Sequence, residues 1–506
     1  MKLFLRDNRT SIKYIFFSFY FIYNLQNLNA GQSIFQQNAN PIYHIINLDQ
    51  LEANFKSSSF IRSGFLSSKK TGFLSSFTST SFYNSGHPNS ENNGHIIANK
   101  YFSNYTGLSI SYINKFLFFQ FQPTVKNKRL DSQYYLNKKI NTHSFLNEKG
   151  FVINNLKKYE IINSSLGVRF YNISAGFSNQ EMWIGPGFHS SLSMSNNAEG
   201  FNHYFISSFD EIKFSKYGIN FKYFISERES EKGPFFHNSL SAALTYYSNP
   251  TITIGFNRVH LSGADPSIEW NIEKALNLSF EPLFGNNKNK YSIPGEPDYW
   301  DPWDQLLVGF VNFYFPLDHL HLYLEFGTDD SRANFTDLKS HWDHASGYII
   351  GFKKYSSIND LKLFFGAEAM STKNSTHTLN PAFFRGNILS ENFYNRNNYL
   401  FSTFNGRRWA AHSGSDSDDK ILMFGFVSRS YSSLLSYNYE RHGITTNEFP
   451  EIKRELSLRC VYHYGRFNYG LIIEHESIKN FNFNKIDKSF ISNVIGLSLS
   501  YNLTFK

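Results

Sequence analysis

The chain has 506 residues, of which 54 are Phe and 32 Tyr, yet its mean hydropathy is only −0.39. So many large apolar rings in a chain that is polar on average argue against a string of soluble domains, and for a membrane barrel with a lipid-facing outside and a wet inside. The net charge of +8, from 49 Lys and Arg against 41 Asp and Glu, is dispersed without the basic stripe of a nucleic-acid binder, and the single Cys460 permits no internal disulfide.

Residues 1–30 read as a signal peptide. Lys2, Arg6, Arg9 and Lys13 precede an apolar run from Tyr14 to Tyr23, and Ala30 stands at a small-residue cleavage position. The run is too short to cross a membrane as a helix, and no later stretch resembles a transmembrane helix. Residues 31–100 are Ser-, Asn- and Gly-rich and read as an entry region, a periplasmic segment with the first strands. Within it FIRSGFLSS and TGFLSSFTSTSFY suggest short strands, and SGHPNSENNGH a loop.

Residues 101–506 read as the barrel itself. TGLSISYI, KFLFFQFQP and SSLGVRFYNISAGFS open a regular series of candidate strands. In YGINFKYFIS, Tyr217, Ile219, Phe221, Tyr223 and Ile225 share one face, with Gly218, Asn220 and Lys222 on the other. TITIGFNR and HLHLYLEFG repeat the alternation, the latter setting Leu320, Leu322, Leu324 and Phe326 against His319, His321, Tyr323 and Glu325. LKLFFGAEA, ILMFGFVSRS, RELSLRCVYHY and FNYGLIIEHES continue it. The last strand is the clearest: Ile495, Leu497, Leu499, Tyr501, Leu503 and Phe505 oppose Gly496, Ser498, Ser500, Asn502 and Thr504. Roughly 16–18 such segments predict an all-β, closed antiparallel transmembrane barrel. Its polar faces carry Lys222, His321, Glu325, Lys362, Glu368 and Glu474. Each would cost several kcal/mol in a dry sandwich and little in a wet lumen, which favours the barrel.

The irregular stretches complete the reading. Residues 131–160 are long and basic, and the sequence around Ile268 to Leu278 reads as a helix with Pro266 near its start. NNKNKYSIPGEPDYWDPWDQ and NGRRWAAHSGSDSDDK read as loops, candidates for the outward side or for folding into the bore.

The segment Asn179 to Phe201, NQEMWIGPGFHSSLSMSNNAEGF, resembles the signature of the capsule assembly protein Wzi family. The matching residues are Trp183, Gly185, Pro186 and Gly187, then Ser195, Asn196, Asn197 and Ala198. ITIGFNRVHLSG, with Gly255 and Arg258, is similar to the family's Gly-x-x-Arg strand, and YLEFGTDD, with Asp329 and Asp330, to its strand leading to paired acids. HSGSDSDD and YNYERHG resemble a later loop and strand, so the likeness runs from about Tyr105 to Gly443. The chain departs from the family at Ile184 and Phe188, where a second Trp or a basic residue is frequent. The resemblance implies an eighteen-stranded outer-membrane barrel, helical elements near the periplasmic end blocking the bore, and a lectin-like hold on newly exported capsular polysaccharide. It implies no catalysis.

Individual residues can be weighed on their own chemistry. Gly185-Pro186-Gly187 forces a sharp turn, while Asn196 and Asn197 offer amide groups that match sugar hydroxyls but also favour turns. Tyr299, Trp300, Asp301, Trp303 and Asp304 combine aromatic faces for the C–H faces of sugars with carboxylates for their hydroxyls; an interfacial aromatic girdle is the plainer alternative. Arg407, Arg408 and Trp409 suit an acidic polysaccharide, or form a solvated basic loop. His189-Ser190-Ser191 lacks a G-x-S-x-G elbow. His319 with His321, and His341 with Asp343 and His344, lack a recognisable further metal ligand. The expectation is therefore a non-enzymatic barrel without cofactor or metal. Its partners would be outer-membrane lipid, capsular or other surface polysaccharide and further export machinery, with no nucleic acid. A porin-like diffusion channel and a barrel-embedded hydrolase are the alternatives.

Overall fold

The computed structural model describes residues 60–63, 72–87, 89, 91–128, 158–230, 233–263, 271–276, 303–329, 345–358, 361–374, 393–394, 403–404, 407–428, 430–485 and 489–505. The predicted signal peptide and most of the entry region lie outside them. The wall begins with β1 (Gly72–Asn84), β2 (Tyr101–Ile113), β3 (Leu117–Lys128), β4 (Tyr159–Phe170) and β5 (Ile173–Ser178). Next comes β6, an interrupted strand whose two pieces, His203–Ser208 and Ile212–Phe214, both pair with the following strand. The wall continues through β7 (Tyr217–Ser230), β8 (Gly233–Tyr246), β9 (Thr251–Gly263), β10 (Trp303–Phe315), β11 (Leu320–Asp329) and β12 (Ser346–Ile358). It ends with β13 (Leu361–Ser371), β14 (Ser417–Val427), β15 (Tyr431–His442), β16 (Glu451–Tyr464), β17 (Phe467–Lys479) and β18 (Phe490–Phe505). Neighbours pair antiparallel all the way round, and β18 closes on β1 with Phe73 opposite Phe505 and Asn84 opposite Val494. The eighteen strands form a closed barrel without a free edge.

The two-faced pattern does what it predicts. Along β18, Ile491, Ile495 and Leu497 are exposed on the outside while Ser492, Val494, Ser500 and Asn502 are buried inside. Leu166 and Ile254 belong to the same outer apolar belt, at 64% and 61% exposure, a surface that suits hydrocarbon and not water. A thirteen-residue strand such as β1 extends about 43 Å along its length at ~3.3 Å per residue, enough to cross a bilayer at barrel tilt.

Links at one end of the barrel, such as 171–172, 215–216, 316–319 and 465–466, run to two to four residues. The long links, including 129–158, 179–202, 264–302 and 372–416, lie at the other end. In outer-membrane barrels the short turns are periplasmic and the long loops face outward.

Three expectations are corrected. The stretch SSLGVRFYNISAGFS is a hairpin, turning at Tyr171 with φ of 52°. Trp303 and Asp304 begin the wall strand β10, opposite Ser262 and Leu261, and are not loop residues. The interior is not simply wet: Lys222, His321, Glu325, Glu368 and Glu474 are all buried, because chain segments fill the bore. The predicted helix survives in the described residues only at 272–276.

Candidate functional site

The link between β5 and β6 does not stand clear of the barrel; it folds back into it. Met182–Ile184 pairs antiparallel with Ile61–Ser63, and Ile184 also bridges to Met194. Gly185 follows with φ of +117°, a backbone that L side chains rarely adopt, and a Cβ here would overlap the Glu325 carboxylate. The turn over Pro186 and Gly187 aims a run of backbone N–H groups at the wall. Glu325 of β11 accepts from Gly187 at 3.2 Å and Leu192 at 3.1 Å. Glu368 of β13 accepts from Phe188 at 2.8 Å, from Ser190 at 2.6 Å and from the Tyr323 hydroxyl at 2.6 Å. Each carboxylate thus exchanges water for fixed donors, which offsets a burial cost of several kcal/mol. Lys353 of β12 adds a bond to the Pro186 carbonyl at 3.3 Å.

A second segment, 403–416, is zipped to the first. Thr403–Phe404 pairs with Arg407–Arg408 as a short ribbon. Ser195 N–H donates to the Trp409 carbonyl at 2.9 Å, and the Ser195 hydroxyl to that of Ala410. The Asn197 amide donates to the Arg408 carbonyl at 3.0 Å. Arg407 donates to the Gly94 carbonyl, and to Asn197 Oδ1 at 3.2 Å. Trp409 packs on His237 of β8, ring centres 4.8 Å apart, and the Tyr394 hydroxyl donates to the Leu192 carbonyl at 2.7 Å. Arg228 of β7 reaches the Thr403 carbonyl at 3.2 Å and lies over the Phe235 ring. From the link 85–100, Gly94 N–H bonds the Asn196 carbonyl at 2.7 Å, and His95 reaches Glu181 at 3.1 Å. The result is an apolar core inside the barrel: Met182, Ile184, Phe188, Leu192, Met194, Phe201 and Trp409 pack against inward residues of the wall from Phe224 of β7 to Val461 of β16. The bore is plugged.

These contacts place the residues singled out in the sequence. Trp183, Gly185, Pro186, Gly187, Ser195, Asn196 and Asn197 are all buried in the plug. Arg407, Arg408 and Trp409 join them, at 3%, 6% and 2% exposure. They form neither a solvated basic loop nor an open sugar platform, because all three are buried inside the barrel. Arg258 sits on the inner wall and donates to Gln305 Oε1 at 3.1 Å; Asp304 and Asp329 are buried near the outward strand ends. Tyr299, Trp300, Asp301 and Asp330 lie outside the described residues, as do His341, Asp343 and His344. His319 occupies a turn at φ of 47°, and His321 stacks on Tyr314 at 4.3 Å, so the two do not form a metal pair. The Ser190 hydroxyl donates to Asp419 at 3.2 Å and that of Ser191 to the Ile184 carbonyl, so neither is activated by His189.

Where plug meets wall lies a buried polar cluster that the sequence reading did not assemble. His189 Nε2 is 3.1 Å from Asp419 Oδ2, and His412 Nε2 is 3.2 Å from the same oxygen and 3.5 Å from Glu440 Oε1. Asn438 donates to Asp419 Oδ1 at 2.6 Å and lies 2.8 Å from His189 Nε2. His442 and Lys453 reach Glu440 at 3.0 and 2.7 Å, and Lys453 also pairs with Glu91. Burial by itself would push the His412 imidazole down; the Glu440 and Asp419 carboxylates more than offset it and hold its pKa well above the ordinary value. Its members come from stretches spread between Glu91 and Lys453, so no local motif brings them together.

A closed, plugged, antiparallel eighteen-strand wall with an apolar outer belt defines the class: an outer-membrane-type β-barrel. A family model for capsule assembly protein Wzi matches residues 81–408, and the chain belongs to that family. The match covers the whole signature block and Arg407–Arg408, and stops before the HSGSDSDD and YNYERHG stretches. Among solved structures, the chain is similar to Wzi of Escherichia coli, described as an outer membrane protein involved in group 1 capsule assembly and a carbohydrate-binding β-barrel. The TM-score is 0.56 at 11% identity over 83% of each chain. Two further solved structures, Acinetobacter baumannii OccAB3 and Pseudomonas aeruginosa OpdQ, give TM-scores of 0.43 and 0.42 at 9% and 8% identity. They cover 86% and 87% of this chain and 99% and 100% of theirs. No curated protein matches it by sequence.

Proposed function

We propose that this barrel holds capsular or other surface polysaccharide at the outer face of the cell and aids its attachment, without catalysing a reaction. The observation that carries this reading is the plug. Segment 182–201 is fixed across the bore by Glu325 and Glu368 and segment 403–416 is bonded to it in turn, which disfavours passage of solutes and leaves the outward end as a rigid platform. Membership of the capsule-assembly family supports the same reading. The polysaccharide contacts are assigned to the outward link 264–302 and the start of β10, through Tyr299, Trp300, Asp301 and Trp303, and not through Asp304, which is buried. There aromatic faces and carboxylates occur together. Arg407, Arg408 and Trp409 serve that surface from below, by holding the plug. Residues 1–30 are assigned to export, and the belt to outer-membrane lipid; contacts with further export machinery belong to the same reading.

The test compares a deletion strain with its parent for cell-attached against shed polysaccharide. The reading expects a shift to the shed fraction, restored by the parental gene and not by a Trp300→Ala, Trp303→Ala variant. Equal partition in both strains would refute it. Purified protein is expected to retain the polysaccharide in a pull-down.

A further inference from the structure

We propose that the cluster joining plug to wall is a binding site for one divalent transition-metal ion, held by His189, His412, Asp419 and Glu440. The four candidate ligand atoms all lie within 4.8 Å of one another. Three of their separations, His189 Nε2 to Asp419 Oδ2, His412 Nε2 to Asp419 Oδ2 and His412 Nε2 to Glu440 Oε1, are 3.1, 3.2 and 3.5 Å. A tetrahedral ion with bonds of 2.0–2.2 Å requires ligand-to-ligand edges of about 3.3–3.6 Å. Those three separations are close to such an edge, and the others do not exceed 4.8 Å, so side-chain adjustments of an ångström or so would bring the four atoms round one ion.

The surroundings of His412 point the same way. Its Nε2 is buried and makes no aligned hydrogen bond although two carboxylate oxygens lie near it. An outer shell is also in place. The Ser190 hydroxyl and the Asn438 amide bond Asp419, and His442 and Lys453 bond Glu440. The ion would displace the Asn438 contact to His189. Two imidazoles with two carboxylates suit zinc, manganese, iron or cobalt better than calcium or magnesium, which take oxygen alone.

The site has a structural consequence. His189 and His412 belong to the two plug segments, while Asp419 and Glu440 belong to β14 and β15. The ion would tie both segments to the wall near its outward end, beside the Glu368 anchor, which takes the N–H groups on either side of His189. His189 is the most accessible of the four, at 12% side-chain exposure.

The experiment uses the full chain without a polyhistidine tag, refolded in detergent, stripped with chelator and titrated with Co²⁺. One Co²⁺ per chain, with the intense visible bands of four-coordinate cobalt and displacement by Zn²⁺, is the expected result. His412→Gln and Asp419→Asn are expected to lose these bands while keeping heat-modifiable migration and barrel circular dichroism. Should those variants fail to fold, the more exposed His189→Gln and the parent's own spectrum decide. Failure of the parent to take up a stoichiometric ion would overturn the proposal, leaving the cluster a proton-held network. Equal uptake by the parent and by His189→Gln, His412→Gln would overturn it too. Neither outcome bears on polysaccharide retention, which is measured separately.

Discussion

The wall strand β18 and the plug segment 182–201 lie in the same molecule and obey different rules. In β18 the alternation of Ile495 and Leu497 with buried Val494 and Ser500 follows from lipid on one side and the barrel interior on the other. The plug has no period. It is packed against protein along most of its length, so its backbone N–H groups need acceptors that no regular ladder supplies, and the wall lends Glu325 and Glu368 for the purpose. The wall is specified by where its side chains go, and the plug by where its backbone groups go. Damage to each is expected to look different.

The largest effect is expected from Glu368→Ala. It strands the N–H groups of Phe188 and Ser190 and the Tyr323 hydroxyl, at about 1–3 kcal/mol each. Hydrogen exchange should rise across 182–201 while the amides of β18 stay protected; equal protection in parent and variant would show that the carboxylate does not hold the plug. Next is Leu497→Arg at the middle of β18, expected to cost ~2–4 kcal/mol through contact with hydrocarbon. It should lower the denaturant midpoint of the barrel in lipid without exposing the plug to protease. Gly185→Ala comes third, at about 1–3 kcal/mol for the positive φ with the overlap on Glu325 added. Limited proteolysis between Trp183 and Phe188 reads it out. The smallest is Ser195→Ala, which removes the bond to the Ala410 carbonyl and is expected to cost about 0.5–1.5 kcal/mol. A change confined to exchange of 193–197 and 407–411 would place the zip between the two plug segments there.

The comparison also explains what the sequence revealed. Strands with lipid on one side and small polar groups on the other, such as TGLSISYI and the last strand, were legible from period two alone. GPFFHNSLSAALTY was not, although it forms β8, because Phe235 to Ser239 are all buried in succession. Phe201 and Trp409 of the plug pack on His237, and the Ala275 carbonyl accepts from Asn238, so the inward and outward contrast is lost there. WDQLLVGFVNFYF hid for a related reason, its first residues merging with a Pro- and Asp-rich loop. The charges on inward faces were read as bathed in water. Their burial follows from long-range contacts, such as Glu368 with Ser190, that no local pattern encodes. The signature block was visible as a motif and its turn was foreseen from Gly-Pro-Gly. Its place inside the bore was not, nor was the meeting of His189, His412, Asp419 and Glu440.

The central claim is that the bore is closed by a plug bonded to its own wall. Purified protein reconstituted in a planar lipid bilayer tests it most directly. The parent is expected to insert without current steps, and Glu368→Ala to give discrete conductance. A stable, porin-like current from the parent would contradict the account.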